Sequence, residues 1–100
     1  MDFEWDPAKA EANLAKHGID FEDAIAVFGD PLFATELDPG EYRGELRYRA
    51  IGRVGCTILF VCYTIRGERC RIISARRASR RERKAYSLQA RNRSQASRQN

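Results

Sequence analysis

The sequence is poor in the residues on which many enzymes depend. It has one histidine, one tryptophan and three prolines, and only three of its 18 basic residues are lysine. A single histidine, with no cluster of ligand-type residues at metal spacing, excludes the common zinc arrangements, and neither metal nor cofactor is expected. Cys56, Cys62 and Cys70 are odd in number and lack C-x-x-C spacing, which excludes a disulfide framework. Cys62 and Cys70 can face each other across a hairpin, but buried free thiols suit a reducing compartment better. The longest apolar run, Cys56 to Ile65, is far shorter than the roughly 20 residues a bilayer demands. Asp2, Glu4 and Asp6 stand where a signal peptide would carry positive charge. A cytoplasmic protein with no membrane association is expected.

What is abundant is arginine, and it is unevenly placed. The chain of 100 residues carries a net charge of +4. Residues 1–45 hold twelve acidic and three basic residues; residues 46–100 hold fifteen basic residues, fourteen of them arginine, against Glu68 and Glu82. Lysine would serve as well for a merely solvated face. Arginine adds a planar, permanently charged fork that matches phosphate and stacks on bases. Such segregation points to nucleic acid or an acidic protein partner.

Length and a hydrophobic fraction of 43% bound the chain to one globular domain. Phe3-Glu4-Trp5 reads as a short strand or extended arm. Asp6-Pro7 opens a helix that Gly18 closes, with Lys16 and His17 in its last turn. Asp20 caps a second helix with Phe21, Ala24, Ile25 and Phe28 on one face, ended by Gly29-Asp30-Pro31. Glu45 to Arg53 alternates, placing Arg47, Arg49 and Ile51 opposite Leu46, Tyr48 and Ala50. Cys56 to Ile65 reads as a central strand buried on both faces, Arg66-Gly67-Glu68 as a hairpin turn, and the residues to Arg77 as its partner, with Arg71, Ile73 and Ala75 on one face. Ser79-Arg80-Arg81-Glu82 is a capping box that opens a C-terminal helix through about Arg91. The predicted fold is α+β: two N-terminal helices, an antiparallel sheet of three to four strands and a C-terminal helix, one domain over residues 1–91. The polar tail, 92–100, is expected to fray or be disordered.

In order, Phe3-Glu4-Trp5-Asp6-Pro7-Ala8-Lys9, Asn13, Lys16-His17-Gly18-Ile19, Phe21-Glu22-Asp23-Ala24, Gly44-Glu45-x-Arg47, Ile51-Gly52, Tyr63-Thr64-Ile65-Arg66-Gly67, Arg71-Ile72-Ile73-Ser74-Ala75-Arg76-Arg77-Ala78, Glu82 and Tyr86 form a pattern that resembles the BrnT toxins. The resemblance spans residues 3–86. It implies a RelE-like fold and a ribonuclease toxin of a type II toxin–antitoxin pair, cleaving RNA without a metal and blocking translation. It further implies neutralisation by a ribbon-helix-helix, BrnA-like antitoxin, with operator DNA engaged only through that antitoxin.

Metal-free RNA cleavage must deprotonate a 2′-hydroxyl, stabilise charge on phosphoryl oxygens and protonate the leaving 5′-oxygen. Arg47, Arg66 and Arg76 are expected to converge on one sheet rim as phosphate-binding residues, though each taken singly also fits a solvated surface position. Glu45 is a candidate base or simply an ion-pair partner of an arginine. His17 is the one side chain that titrates unaided near neutrality, and also an ordinary helix-end residue. Arg49, Arg77, Arg80 and Tyr86 complete the expected RNA-binding set, with core packing as the other reading of Tyr86. A non-catalytic nucleic-acid-binding or protein-interaction module would use the same arginines.

Overall fold

The computed structural model describes residues 1–98. The order of elements is β1 (Asp2–Glu4), α1 (Pro7–His17), α2 (Phe21–Ile25) with a 3₁₀ turn at Ala26–Gly29, β2 (Ala34–Leu37), β3 (Tyr48–Val54), β4 (Thr57–Arg66), β5 (Arg69–Arg77) and α3 (Arg80–Arg98). Five strands form one sheet in the order β1-β5-β4-β3-β2. Strands β2 to β5 are an antiparallel meander, whereas β1 pairs in parallel with β5. The sheet is therefore mixed and five-stranded, not antiparallel with three or four strands as predicted. Three residues carry no periodicity that could name a partner. The pairing nevertheless covers part of the β5 edge that a meander alone would leave open.

The helix signals act as expected. Asp6 Oδ1 accepts the Ala8 N–H at 2.9 Å, and Gly18, at φ 70°, closes α1 with its N–H on Leu14 O. The second helix keeps its Asp20 cap but has only five residues before the 3₁₀ turn. Helix α3 runs past the predicted end at Arg91 to Arg98, into the polar tail. No Gly or Pro stands there to stop it, and extending an existing helix is far easier than nucleating one. Residues 99–100 of that tail lie outside the described residues.

Both sheet faces are used, unequally. Phe21, Ala24 and Val27 pack against Ala50, Leu59, Val61, Ile72 and Ala75 on the face covered by α1 and α2. On the other face, α3 covers only one end, where Ile58, Ala78 and Tyr86 form a small second cluster with Ile51 and Ala90. Strand β4 is thus central, with Ile58 to Thr64 buried or half-buried on both sides as predicted, whereas Cys56 and Ile65 at the ends of the expected buried run are exposed. The predicted alternation in β5 breaks at Ile73. The β4–β5 register shifts between Cys62 and Tyr63, so Ser74 faces Cys62 and Ile72 faces Tyr63. This bulge puts Ala75 in the core with Cys70 and Ile72, not beside Arg71. Cys62 and Cys70 are not cross-strand partners, and all three cysteines are free. Burial pushes the Cys70 thiol up to about 11.

Beyond the β1 pairing, the edge of β5 is met by a side chain. Asn13 Nδ2 donates to Ala75 O at 2.8 Å and to Ile19 O at 3.1 Å, while its Oδ1 accepts the Ala75 N–H at 3.1 Å. A carboxamide carries the same donor and acceptor as a peptide, so Asn13 replaces a missing strand and locks α1 to the sheet. Asn13→Ala would leave these buried groups unpaired, an expected loss of about 2–4 kcal/mol by urea denaturation. Asn13→Asp should destabilise similarly, because it brings a carboxylate against two carbonyl oxygens.

Candidate active site

The sheet face that α3 leaves open carries the arginines. Alternation along β3 puts Arg49 on this face together with Arg47 just before the strand; Arg66 ends β4 on the same side. Glu45 joins them: its Oε1 lies 3.4 Å from Arg47 Nε and its Oε2 accepts from Arg66 Nη2 at 3.0 Å. The bond from Arg66, helped by Arg47 and opposed by partial burial, holds the Glu45 carboxyl below its usual range. Arg49 closes the cluster, with Nη1 3.3 Å from Glu36 Oε1 and Nε 3.5 Å from Asp38 Oδ2.

The backbone that presents Arg47 is held on two sides. Asp38 N–H donates to Arg47 O at 2.8 Å, and the fully buried Thr64 hydroxyl donates to Leu46 O at 2.6 Å. The Arg47 guanidinium lies 4.2 Å above the centre of the Tyr42 ring. Asp38 lies beside the Tyr42 hydroxyl and raises the phenol's pKa, partial burial adding to the effect. Gly40 N–H, ahead of Tyr42 and Arg49, keeps Asp38 low against burial. Tyr42 and Asp38 were not legible in the sequence, where Asp38-Pro39-Gly40-Glu41 reads only as a turn.

Arg76 belongs to a different place. It faces Phe60 in the β4–β5 pair, six residues along β4 from Arg66, or about 20 Å at strand rise. Ends of consecutive antiparallel strands lie at opposite ends of their ribbon, so the expected convergence of Arg47, Arg66 and Arg76 on one rim is not formed. Arg76 stacks on the Phe60 ring at 4.2 Å and makes a two-pronged pair with Glu82, Nη1–Oε1 at 2.8 Å and Nη2–Oε2 at 3.0 Å. Glu82 also accepts the Ser79 N–H, while Ser79 Oγ accepts the Glu82 N–H, which completes the predicted capping box.

The remaining candidates scatter. Arg77 is exposed at the end of β5 on the helix-covered face, and Arg80 is exposed in the first turn of α3. Tyr86 is 4% exposed, with its hydroxyl bonded to Asp30, which leaves no ring face for stacking on a base. Asp30 also accepts the Arg53 and Leu32 N–H groups, joining α3, β3 and the turn before β2. Burial opposes the charge of Asp30, but these three bonds outweigh it and hold its pKa low. His17 ends α1, in the layer across the sheet from Glu45. The structure thus brings together Glu45, Arg47, Arg49 and Arg66, and separates from them Arg76, Arg77, Arg80, Tyr86 and His17. A groove of about 550 Å³ leads from Arg49 past Ile51 and Phe60 to Glu82, walled by Leu88 and Gln89 of α3.

An α+β domain whose open sheet face gathers two arginines around one carboxylate, with a third arginine beside them, is a class of protein suited to phosphodiesters. The comparison with known families agrees: the description "Ribonuclease toxin, BrnT, of type II toxin-antitoxin system" matches residues 5–82. The chain belongs to the BrnT family of ribonuclease toxins, whose type II systems pair such a toxin with an antitoxin. No curated protein matches the chain. Among the described residues, no helix is long and apolar enough to cross a membrane.

Proposed function

We propose that this protein is a metal-independent endoribonuclease on a RelE-like scaffold, acting in the cytoplasm to stop translation until a ribbon-helix-helix antitoxin binds it. The observation that carries this reading is Glu45 held between Arg47 and Arg66 on an open sheet face. An RNA phosphate competes with Glu45 for both guanidinium groups, since both are anions seeking the same donors. As the arginines turn to the phosphate, Glu45 loses the contacts that depress its pKa and becomes a better base. It then accepts the proton of the 2′-hydroxyl. The 2′-oxygen bonds to phosphorus, the bond to the 5′-oxygen breaks, and that oxygen takes up a proton from solvent water. Arg47 and Arg66 stabilise the charge that builds on the phosphoryl oxygens, the role for which fixed donors are worth most. Arg49, two residues from Arg47 on the same face, holds a neighbouring phosphate in this reading. The antitoxin covers the arginine face, and operator DNA is reached only through it.

Purified protein incubated with a single-stranded oligoribonucleotide in EDTA is expected to cut it. Intact RNA under those conditions overturns metal-independent cleavage. RNA that is retained but never cut would instead make the face a non-catalytic nucleic-acid-binding surface. Induced expression is expected to arrest growth and protein synthesis, relieved when a short neighbouring ribbon-helix-helix gene is co-expressed.

A further inference from the structure

Nothing in the reaction above uses the segment from Asp38 to Gly44, yet that segment is built closely around one side chain. Arg43 at φ 53° and Gly44 at φ 80° are both left-handed, and they turn the chain so that Glu45 N–H reaches Tyr42 O at 3.1 Å. A Cβ at Gly40 would lie 2.7–2.9 Å from three atoms of Tyr42, so only glycine lets the ring lie where it does. Asp38 accepts Gly40 N–H at 2.8 Å and through its own N–H holds Arg47 O. These contacts set the backbone of the segment that carries the ring against which the Arg47 guanidinium lies.

A guanidinium donates within its own plane. Stacking on a ring therefore restricts it without consuming a donor. The only side-chain hydrogen bond of Arg47 among the described residues is the long 3.4 Å contact from Nε to Glu45, which leaves its two terminal nitrogens without a hydrogen-bond partner there. The side chain is oriented but not spent.

We propose that Tyr42 is a positioning residue: its ring holds the Arg47 fork in the orientation that receives an RNA phosphate, and Gly40 leaves the room the ring needs. The inference rests on the reading of Arg47 as a phosphate contact. It assigns the ring face, not the hydroxyl, as the feature that matters. Arg66, which is 53% exposed and has Glu45 as its anchor, has no such support.

The test is binding of a 2′-O-methyl oligoribonucleotide, which cannot be cleaved, by the full chain across a salt series. Arg47→Ala should reduce the slope of log affinity against log salt by about 0.7, the share of one phosphate on a single strand. Tyr42→Leu should weaken binding about fivefold to twentyfold, and Tyr42→Phe by no more than about twofold, since the face of phenylalanine also attracts a cation. In the Arg47→Ala background, Tyr42→Leu should cost nothing further, a coupling that general loss of structure would not give. If Tyr42→Leu does not fold, the Arg47 Nε–H resonance of the wild type decides. A ring-current shift upfield that persists with the oligonucleotide bound supports the assignment, and an unshifted or released signal overturns it. Equal losses for Phe and Leu, or an undiminished Leu effect without Arg47, also overturn it. Wild type that binds in this pattern but cuts no RNA removes the nuclease reading and leaves the positioning role. Wild type that cuts RNA while Tyr42→Leu binds normally does the reverse. Wild type that binds no RNA removes both.

Discussion

Arg47→Ala and Arg66→Ala are each expected to slow RNA cleavage by about 10²–10³-fold, the usual cost of removing one fixed donor from a developing oxyanion. Arg76→Ala should instead leave the rate within about tenfold and lower the melting temperature by about 5–10 °C, as loss of 1–2 kcal/mol does in a domain of this size. The difference comes from what each arginine has to do in the free protein. Arg47 and Arg66 share one carboxylate on an open face, and a phosphate can displace that carboxylate without disturbing the fold. Arg76 is committed at once to Phe60, to both oxygens of Glu82 and to Arg77 O, contacts that fasten the start of α3 to the sheet. Turning it toward a substrate would undo all of them. Single-turnover cleavage in EDTA and thermal unfolding of the three variants separate the cases. An inactive Arg76→Ala protein with wild-type melting temperature would place the chemistry at the α3 end of the groove.

Why some of this could be read in the chain and some could not follows from the range of each signal. Helix caps at Asp6, Gly18, Asp20 and Ser79 are local hydrogen-bond requirements, and each sits where the sequence puts it. The faces of β3 follow from period two, so Arg47 and Arg49 are correctly grouped. The same rule fails in β5 because one extra residue at Ile73 inverts everything beyond it, and no residue type there announces a bulge. Arg66 and Arg76 were expected together from their shared position at strand ends, although a hairpin necessarily sets those ends apart. Charge misleads in a similar way. The acidic first half and basic second half are segregated along the chain but not in space: Glu4 pairs with Arg69 and Arg71, Glu36 and Asp38 with Arg49, Glu45 with Arg47 and Arg66. The basic face therefore exists with its counter-charges in place, and a polyanion binds it by exchange rather than by filling a vacant field. Tyr42 was missed because its meaning lies in a ring-to-guanidinium contact that a turn of irregular spacing brings about.

Acid should expose the second large effect, at Glu82. Its carboxylate is held down to about 2, chiefly by the two bonds from Arg76 and, against some burial, by the Ser79 N–H; the ordinary value is 4.5. A group whose pKa is depressed by folding stabilises the native state above its unfolded value and loses that contribution as pH falls toward the folded one. The loss should therefore run from about pH 4.5 down to about pH 2. A shift of this size corresponds to at most about 3.4 kcal/mol, and the partial exposure of both side chains reduces the expected figure to about 2 kcal/mol. Glu82→Gln isolates the charge, because glutamine still serves the capping box at that helix position. Urea unfolding at pH 6.5, 4 and 2.5 should show the variant less stable than wild type at neutral pH, with the gap closing as the medium becomes acid. Arg76→Ala should close it too, since Glu82 then titrates near its ordinary value. Wild type and Glu82→Gln curves that stay parallel over this range would mean that the ion pair adds nothing to the seating of α3. In that case the helix would be held by its packing on Ile51 and Ile58, by Tyr86 on Asp30, by Arg83 on Ala78 O and by Arg93 on the carbonyls of Leu32 and Phe33.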